Sequence, residues 1–162
     1  METERKWRLN CLPIMLDLEI PDLEVFQAYV TLPNFDNEMR IRRLINLYTG
    51  EVNYCLTFKT SGTLSRQEFE VAIPVWLFDS LKTTTTKQLL KNIHFIAYAN
   101  HRLEFHVYTD KSLAGLIIME CEFTNEQEAV LFRPPHWLDI AKEVTEDIRY
   151  QNKNLATSGI PS

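Results

Sequence analysis

The chain has 162 residues, 45% of them hydrophobic, which suffices for one sizeable core and is too few for two domains of ordinary size. Its net charge of -5 and pI near 5.4 give no general reason to expect nucleic acid or an anionic membrane as partner, although an acidic protein can still hold a basic pocket. Cys11, Cys55 and Cys121 are too few and too scattered for a disulfide framework or zinc knuckle; with a charged N-terminus and no membrane-length apolar run, they point to a soluble cytoplasmic protein.

Short alternating stretches predict strands over residues 2–9, 25–31, 38–46, 52–59, 65–73, 89–97, 102–108 and 116–123, eight in all. Turn-forming residues separate them at 32–37, Thr49-Gly50, Ser61-Gly62, Ala99-Asn100 and Ala114-Gly115, as antiparallel hairpins require. The spacing of Val75, Leu77, Phe78 and Leu81 behind Pro74 predicts a helix over 74–82, and Asn125 with Glu128 three residues on predicts a capped helix over 125–131. The four threonines 83–86 read as a loop. Residues 139–149 are expected to be partly helical, and 158–162 a flexible tail behind one domain spanning 1–157.

Side chains two apart on a strand share a face, and here the charges segregate onto one of them. That face gathers Glu2, Glu4 and Lys6; Arg40 and Arg42; Thr57 and Lys59; Arg66, Glu68 and Glu70; Glu104 and His106; and Glu120 and Glu122. The other carries Met39, Ile41, Leu56, Phe58, Phe69, Val71, Leu103, Phe105, Val107, Met119, Cys121 and Phe123. A wet open sheet would show the same alternation, with Glu2/Lys6 and Glu68/Arg40 as pairs that set register. Two helices able to cover the apolar face favour closure into a barrel with the charges inside, which also removes exposed edges. Glu-x-Glu pairs suit hard divalent cations, whereas Arg-x-Arg and lysine suit phosphate oxygens. With four glycines there is no P-loop or dinucleotide turn, so a phosphate site must be built from side chains; H-E-x-x-H, C-x-x-C and a serine elbow are absent as well.

These residues resemble the CYTH, or triphosphate tunnel metalloenzyme, superfamily. Glu2-Thr3-Glu4-Arg5-Lys6 fits its E-x-E-x-K signature, and the match runs through Gln27-Ala28-Tyr29, Glu38-Met39-Arg40-Ile41-Arg42, Leu56-Thr57-Phe58-Lys59, Arg66-Gln67-Glu68-Phe69-Glu70, Glu120-Cys121-Glu122 and the closing Val144-Thr145-Glu146-Asp147-Ile148-Arg149-Tyr150, followed by Asn152 and Leu155-Ala156. The similarity is strongest to short bacterial inorganic triphosphatases. It implies a mainly β, α+β fold: a closed eight-stranded antiparallel barrel with a few peripheral helices and a polar lumen. It further implies Mg²⁺ or Mn²⁺ and hydrolysis of tripolyphosphate to pyrophosphate and phosphate. Carried over position by position, Glu2, Glu4, Glu68, Glu70, Glu120 and Glu122 are expected at the metal, and Lys6, Arg40, Arg42 and Lys59 at the phosphates, with Lys91 expected to join them as a compensating cation outside the aligned positions. Glu68, Glu70, Tyr29 and Lys6 are expected to take part in catalysis, with no nucleic-acid or membrane partner and a monomer or homodimer.

The chain departs from the family pattern on two strands. Asn92 and His94 align with a frequent K-x-R pair, leaving Lys91 one residue out of phase and luminal only through a bulge, and His106 replaces a frequent aspartate. Two alternatives follow: a hydrolase or cyclase for an organic triphosphate (ATP, thiamine triphosphate), which needs an aromatic base platform, and a non-catalytic polyphosphate or nucleotide sensor. Trp7, Trp76 and Trp137 are expected outside the lumen, Arg66 to neutralise Glu68 or Glu70, and Glu146, Arg149 and Tyr150 to lock the tail or close one mouth.

Overall fold

Alternation becomes a ring in the computed structural model, which describes residues 2–16, 20–31, 38–60, 62–85 and 87–162. The strands are β1 (Glu2–Leu9), β2 (Leu23–Val30), β3 (Glu38–Asn46), β4 (Val52–Lys59), β5 (Ser65–Arg66), β6 (Glu68–Ala72), β7 (Lys87–Tyr98), β8 (His101–Tyr108), β9 (Ile117–Phe123) and β10 (Ile140–Glu143). The helices are α1 (Val75–Lys82), α2 (Glu126–Leu131) and α3 (Asn152–Ser158). The turn expected over 32–37, Ser61 of its turn and Thr86 of the threonine run lie outside the described residues.

All pairings are antiparallel, in the order β1, β9, β8, β7, β2, β3, β4, β6. The expected single strand over 65–73 is two pieces: β6 pairs with β4, and β5 pairs with β1 through Glu2 opposite Arg66 and Thr3 opposite Ser65. At the bend, the Gln67 N–H and C=O both bond to Thr60, so no backbone group is orphaned where the chain crosses from one partner strand to the other. Counted as one bent strand, β5 and β6 complete the expected eight-stranded ring at a short seam. Gly62 precedes that seam at φ +146; a Cβ there would stand 2.3 Å from the Ser65 carbonyl oxygen, so only glycine fits.

The segment expected to be partly helical begins instead as β10. The second edge of β1 beyond the seam would otherwise expose unpaired donors and acceptors, and β10 covers it at Trp7, Arg8 and Leu9. A 3₁₀ turn over Ile148–Tyr150 and α3 follow.

Outward apolar positions meet the helices. Phe78 of α1 packs on Phe26, Ala28, Met39 and Ile41, while Ala129 of α2 and Phe132 join Trp7, Phe105, Met119 and Phe123. Asn125 caps α2 by accepting from the Glu128 N–H at 2.9 Å, as its spacing predicts. Trp7 is buried on the outer face, and Trp76 and Trp137 are exposed. A third cluster lies across one end of the ring. Leu89, Tyr108 and Ile118, which share the charged face, pack with Leu113, Leu116, Val144, Tyr150 and Leu155. The C-terminal segment therefore stoppers the lumen there, with Tyr150 in the closing role expected of it. No helix among the described residues is long and apolar enough to cross a membrane.

Candidate active site

Directly opposed residues share a face, so the registers place the side chains that meet inside. Glu4 opposes Glu122, Lys6 opposes Glu120, Glu120 opposes Glu104, Arg40 opposes Thr57, Thr57 opposes Glu70, and Lys59 opposes Glu68. A chamber of about 90 Å³ is walled by six carboxylates (Glu2, Glu4, Glu68, Glu104, Glu120, Glu122) and six cations (Lys6, Arg40, Arg42, Lys59, Arg66, Lys91), with Ile93, His106 and Asn152, while Thr57 and Glu70 stand behind the arginines and outside the lining. Glu2, Glu68 and Glu122 also line the open mouth.

Most of these charges are already claimed. Lys6 Nζ lies 3.1 Å from Glu4 and 2.9 Å from Glu120; Lys59 Nζ lies 2.9 Å from Glu2 and 2.5 Å from Glu68. Arg40 reaches Glu68 at 3.5 Å, Arg42 donates to Glu70, and the Thr57 hydroxyl donates to Glu70 at 2.7 Å. The Glu68–Arg40 pair is therefore real, while Lys6 pairs with Glu4 and Glu120 and not with Glu2. Arg66 corrects the reading more strongly. It donates to Glu2 at 3.1 Å and Glu4 at 2.6 Å, because the seam sets it beside β1 and Gln67 turns it away from Glu68 and Glu70.

Lys91 faces the lumen with no bulge: Val25, Lys91 and Tyr108 oppose one another in unbroken register. Asn92 and His94 point outward, and His94 is buried on the outer face opposite Phe105. The Lys91 ammonium sits 2.8 Å from His106 Nδ1, whose ring also approaches Glu120 at 3.5 Å and Glu104 at 3.4 Å. Tyr29 is buried on the luminal face with its hydroxyl bonded to the Gln27 amide, but the chamber wall is formed without it. Glu104 and Asn152 are wall residues missing from the expected site. Parity places Glu104 on this face; Asn152 arrives with α3, accepting from the Tyr108 hydroxyl at 2.5 Å, and although it stands in the closing run of the family resemblance, nothing local assigns it to the site.

Electrostatics separate satisfied from unsatisfied charges. Burial would lower the Lys6 pKa, but Glu120 and Glu4 outweigh it and hold the ammonium above the ordinary lysine range. Burial would raise Glu120, but His106, Lys6 and Lys91 pull it well below the usual carboxylate value. Two groups go the other way. Burial and the neighbouring Glu104, Glu2 and Glu4 push Glu122 up to about 7. Burial, despite Glu120 and with Lys6 and Arg42 opposing a further positive charge, pushes Lys91 down to about 7. In addition, the Nε–H groups of Arg40 and Arg42 are buried and find no acceptor among the described residues.

Among the described residues, no three carboxylate or imidazole groups already converge as a metal cage. The donor set nevertheless fits a hard divalent ion: three carboxylates, Glu2, Glu68 and Glu122, line the mouth with Thr3 and Phe123, Glu122 makes no ion pair among the described residues, and a guanidinium already bridges Glu2 and Glu4.

The chain is 34% identical, over 97% of its length and 97% of theirs, to a protein of Nitrosomonas europaea called inorganic triphosphatase. The chain belongs to the inorganic triphosphatase family. A second inorganic triphosphatase, from Acetivibrio thermocellus, is 31% identical over 75% of this chain and 74% of its own. The crystal structure of an inorganic triphosphatase superposes with a TM-score of 0.66 at 33% identity, covering 100% of this chain and 97% of that one. A Pyrococcus horikoshii protein at 18% identity, covering 80% of this chain and 82% of its own with a TM-score of 0.58, shares the fold. No family model matches the sequence.

Proposed function

We propose that this inorganic triphosphatase family member hydrolyses linear tripolyphosphate to pyrophosphate and phosphate in its charged chamber, with Mg²⁺ or Mn²⁺ held by Glu2, Glu4, Glu68, Glu70, Glu120 and Glu122. The observation that carries the reading is the pair of buried, unclaimed Nε–H donors on Arg40 and Arg42, in a wall that alternates carboxylates with cations. Buried unpaired donors are costly, and phosphate oxygens satisfy them while matching the guanidinium fork.

When bound, the divalent ion neutralises phosphate charge and lowers the pKa of a coordinated water. The chain supplies the rest. Arg40, Arg42, Lys59 and Lys91 take phosphate oxygens and hold the chain in line, which is most of what phosphoryl transfer asks of a protein. Lys6, fully charged between Glu4 and Glu120, offsets charge on the departing phosphate. Glu68 and Glu70 orient the attacking water, and Tyr29 supports the luminal wall beside Arg40, its cross-strand neighbour. Binding thus exchanges internal ion pairs for contacts with ligand.

The sensor alternative draws its support from the altered strands now seen as β7 and β8; Lys91 supplies a luminal cation on β7, while His106 keeps the place of the frequent aspartate on β8. The organic-triphosphate alternative needs an aromatic platform, and no Phe, Tyr or Trp lines the chamber among the described residues, although Phe123 borders its mouth. Phosphate release from tripolyphosphate, ATP and thiamine triphosphate with Mg²⁺ or Mn²⁺ tests the reading. Tripolyphosphate is expected to turn over fastest, and a chelator to abolish turnover. Equal release in metal-free buffer, or saturable tripolyphosphate binding with no release across both metals, overturns it.

A further inference from the structure

We infer that Arg66 is a resident competitor for the divalent cation: its guanidinium occupies the Glu2–Glu4 position and must swing aside for the metal to bind. The inference rests on the metal reading proposed above. Arg66 Nε lies 3.1 Å from Glu2 Oε2 and its Nη2 lies 2.6 Å from Glu4 Oε1, with all three side chains largely buried; Lys59 and Lys6 touch the same two oxygens at 2.9 and 3.1 Å, but Arg66 is the one cation that bridges both carboxylates among the described residues. A divalent ion takes such oxygens at about 2.0–2.6 Å, so a guanidinium already donating to the same atoms excludes it by contact and by charge.

Arg66 alone of the chamber cations stands on the seam, where β5 contributes two paired residues before the bend at Gln67. Lys6, Arg40, Arg42, Lys59 and Lys91 sit within strands of eight or more residues. It also has somewhere to go. Arg66 lines both the chamber and an adjoining side pocket of about 380 Å³ between Thr60, Gly62 and Thr63 on one side and α3, with Lys153, on the other, and Glu38 lines that pocket from β3. Glu38 makes no ion pair among the described residues, so it offers the displaced guanidinium a second carboxylate. The protein thus holds its metal site closed with an internal charge until the ion arrives, and the Arg66 fork is then free to face Glu38.

Calorimetric titration of Mn²⁺ alone into the full chain at pH 8 tests this without reference to turnover. Arg66→Gln, which keeps the length and removes the charge, is expected to bind Mn²⁺ about tenfold more tightly, the equivalent of losing one charge-assisted hydrogen bond from the competing state. Arg66→Lys, without the fork, is expected to fall between Arg66→Gln and the unaltered protein, and Glu38→Gln, without the second seat, to bind Mn²⁺ more weakly. Equal or weaker affinity in Arg66→Gln, while the unaltered protein binds Mn²⁺, overturns the role of Arg66 and leaves the metal reading standing. If thermal unfolding shows that Arg66→Gln does not fold, Arg66→Lys decides on the same criterion. Failure of the unaltered protein and every folded variant to bind Mn²⁺ overturns both readings.

Discussion

The two ends of the chamber carry opposite charges in the same predicament. At the mouth, Glu122 stands among Glu104, Glu2 and Glu4, and its pKa rises to about 7. Toward the stoppered end, Lys91 leans on a neutral-leaning imidazole instead of a carboxylate, and its pKa falls to about 7. Between them, Lys6, Lys59 and Arg40 have carboxylate partners. Lys91 is buried, whereas Glu122 is exposed at the mouth and only partly desolvated; in each, desolvation beside like charge penalises the ionised form, so both surplus groups shift toward neutrality. The wall is therefore balanced in number yet incomplete in place: it wants a cation at the mouth and an anion deeper in. The metal–triphosphate complex proposed as ligand would supply both at once.

The paired middle gives the largest way to break this contrast. Lys6→Ala leaves Glu4 and Glu120 buried with less compensation, and should cost about 3–5 kcal/mol in urea unfolding. Glu122→Gln at the mouth relieves repulsion instead, so its melting temperature at pH 8 should be no lower than that of the unaltered protein. A similar loss in both would erase the distinction between paired and surplus charge.

Kinetics come next. Glu68→Ala removes a group expected to orient water and should lower kcat by about 10²-fold or raise the metal requirement, whereas Arg42→Ala removes a phosphate contact and should raise KM roughly tenfold with kcat little changed. Measuring both constants across metal concentrations separates them. Kinetics of Glu68→Ala that match the unaltered enzyme at every metal concentration would end its assigned role.

The pH dependence follows from the signs. Glu122, with its pKa raised to about 7, is protonated below that pH and ionised above it, and only the ionised form holds a metal. Mn²⁺ affinity should therefore fall by up to about tenfold per pH unit below 7, and Glu122→Gln should flatten the slope. In the metal-free protein, the contribution of Glu122 to stability is present at low pH and lost as pH rises through about 7, so Mn²⁺ should raise the melting temperature more at pH 8 than at pH 6. The smallest contrast tests the register of β7. Lys91→Gln should weaken tripolyphosphate binding severalfold, while Asn92→Lys, pointing outward one residue away, should leave KM within about twofold.

Where the sequence was legible, local chemistry repeats along the strand. Period-two alternation in β1, β3, β4, β8 and β9 placed nearly the whole charged face, because a strand side chain has only two directions to choose from. The same rule misled where the aligned position was preferred to the strand's own phase: Asn92 and His94 were matched to luminal cations, yet Lys91 shares the parity of Leu89 and Ile93 and faces inward unaided. Asn152 belongs to the closing run of the resemblance, but its place in the chamber is not legible in the sequence, because it arrives from a helix far along the chain.

The alternation of apolar and charged residues, the Glu-x-Glu and Arg-x-Arg spacing and the caps of α2 were determined by the sequence, since each depends on neighbours within a few positions. Only the tertiary structure decided the rest. The bend at Gln67, the pairing of Arg66 with Glu2 and Glu4, the strand β10 and the apolar stopper all answer demands made by distant parts of the chain. A sheet must satisfy the exposed edge of β1, and a barrel must fill its end, with whatever segment the closed ring brings there.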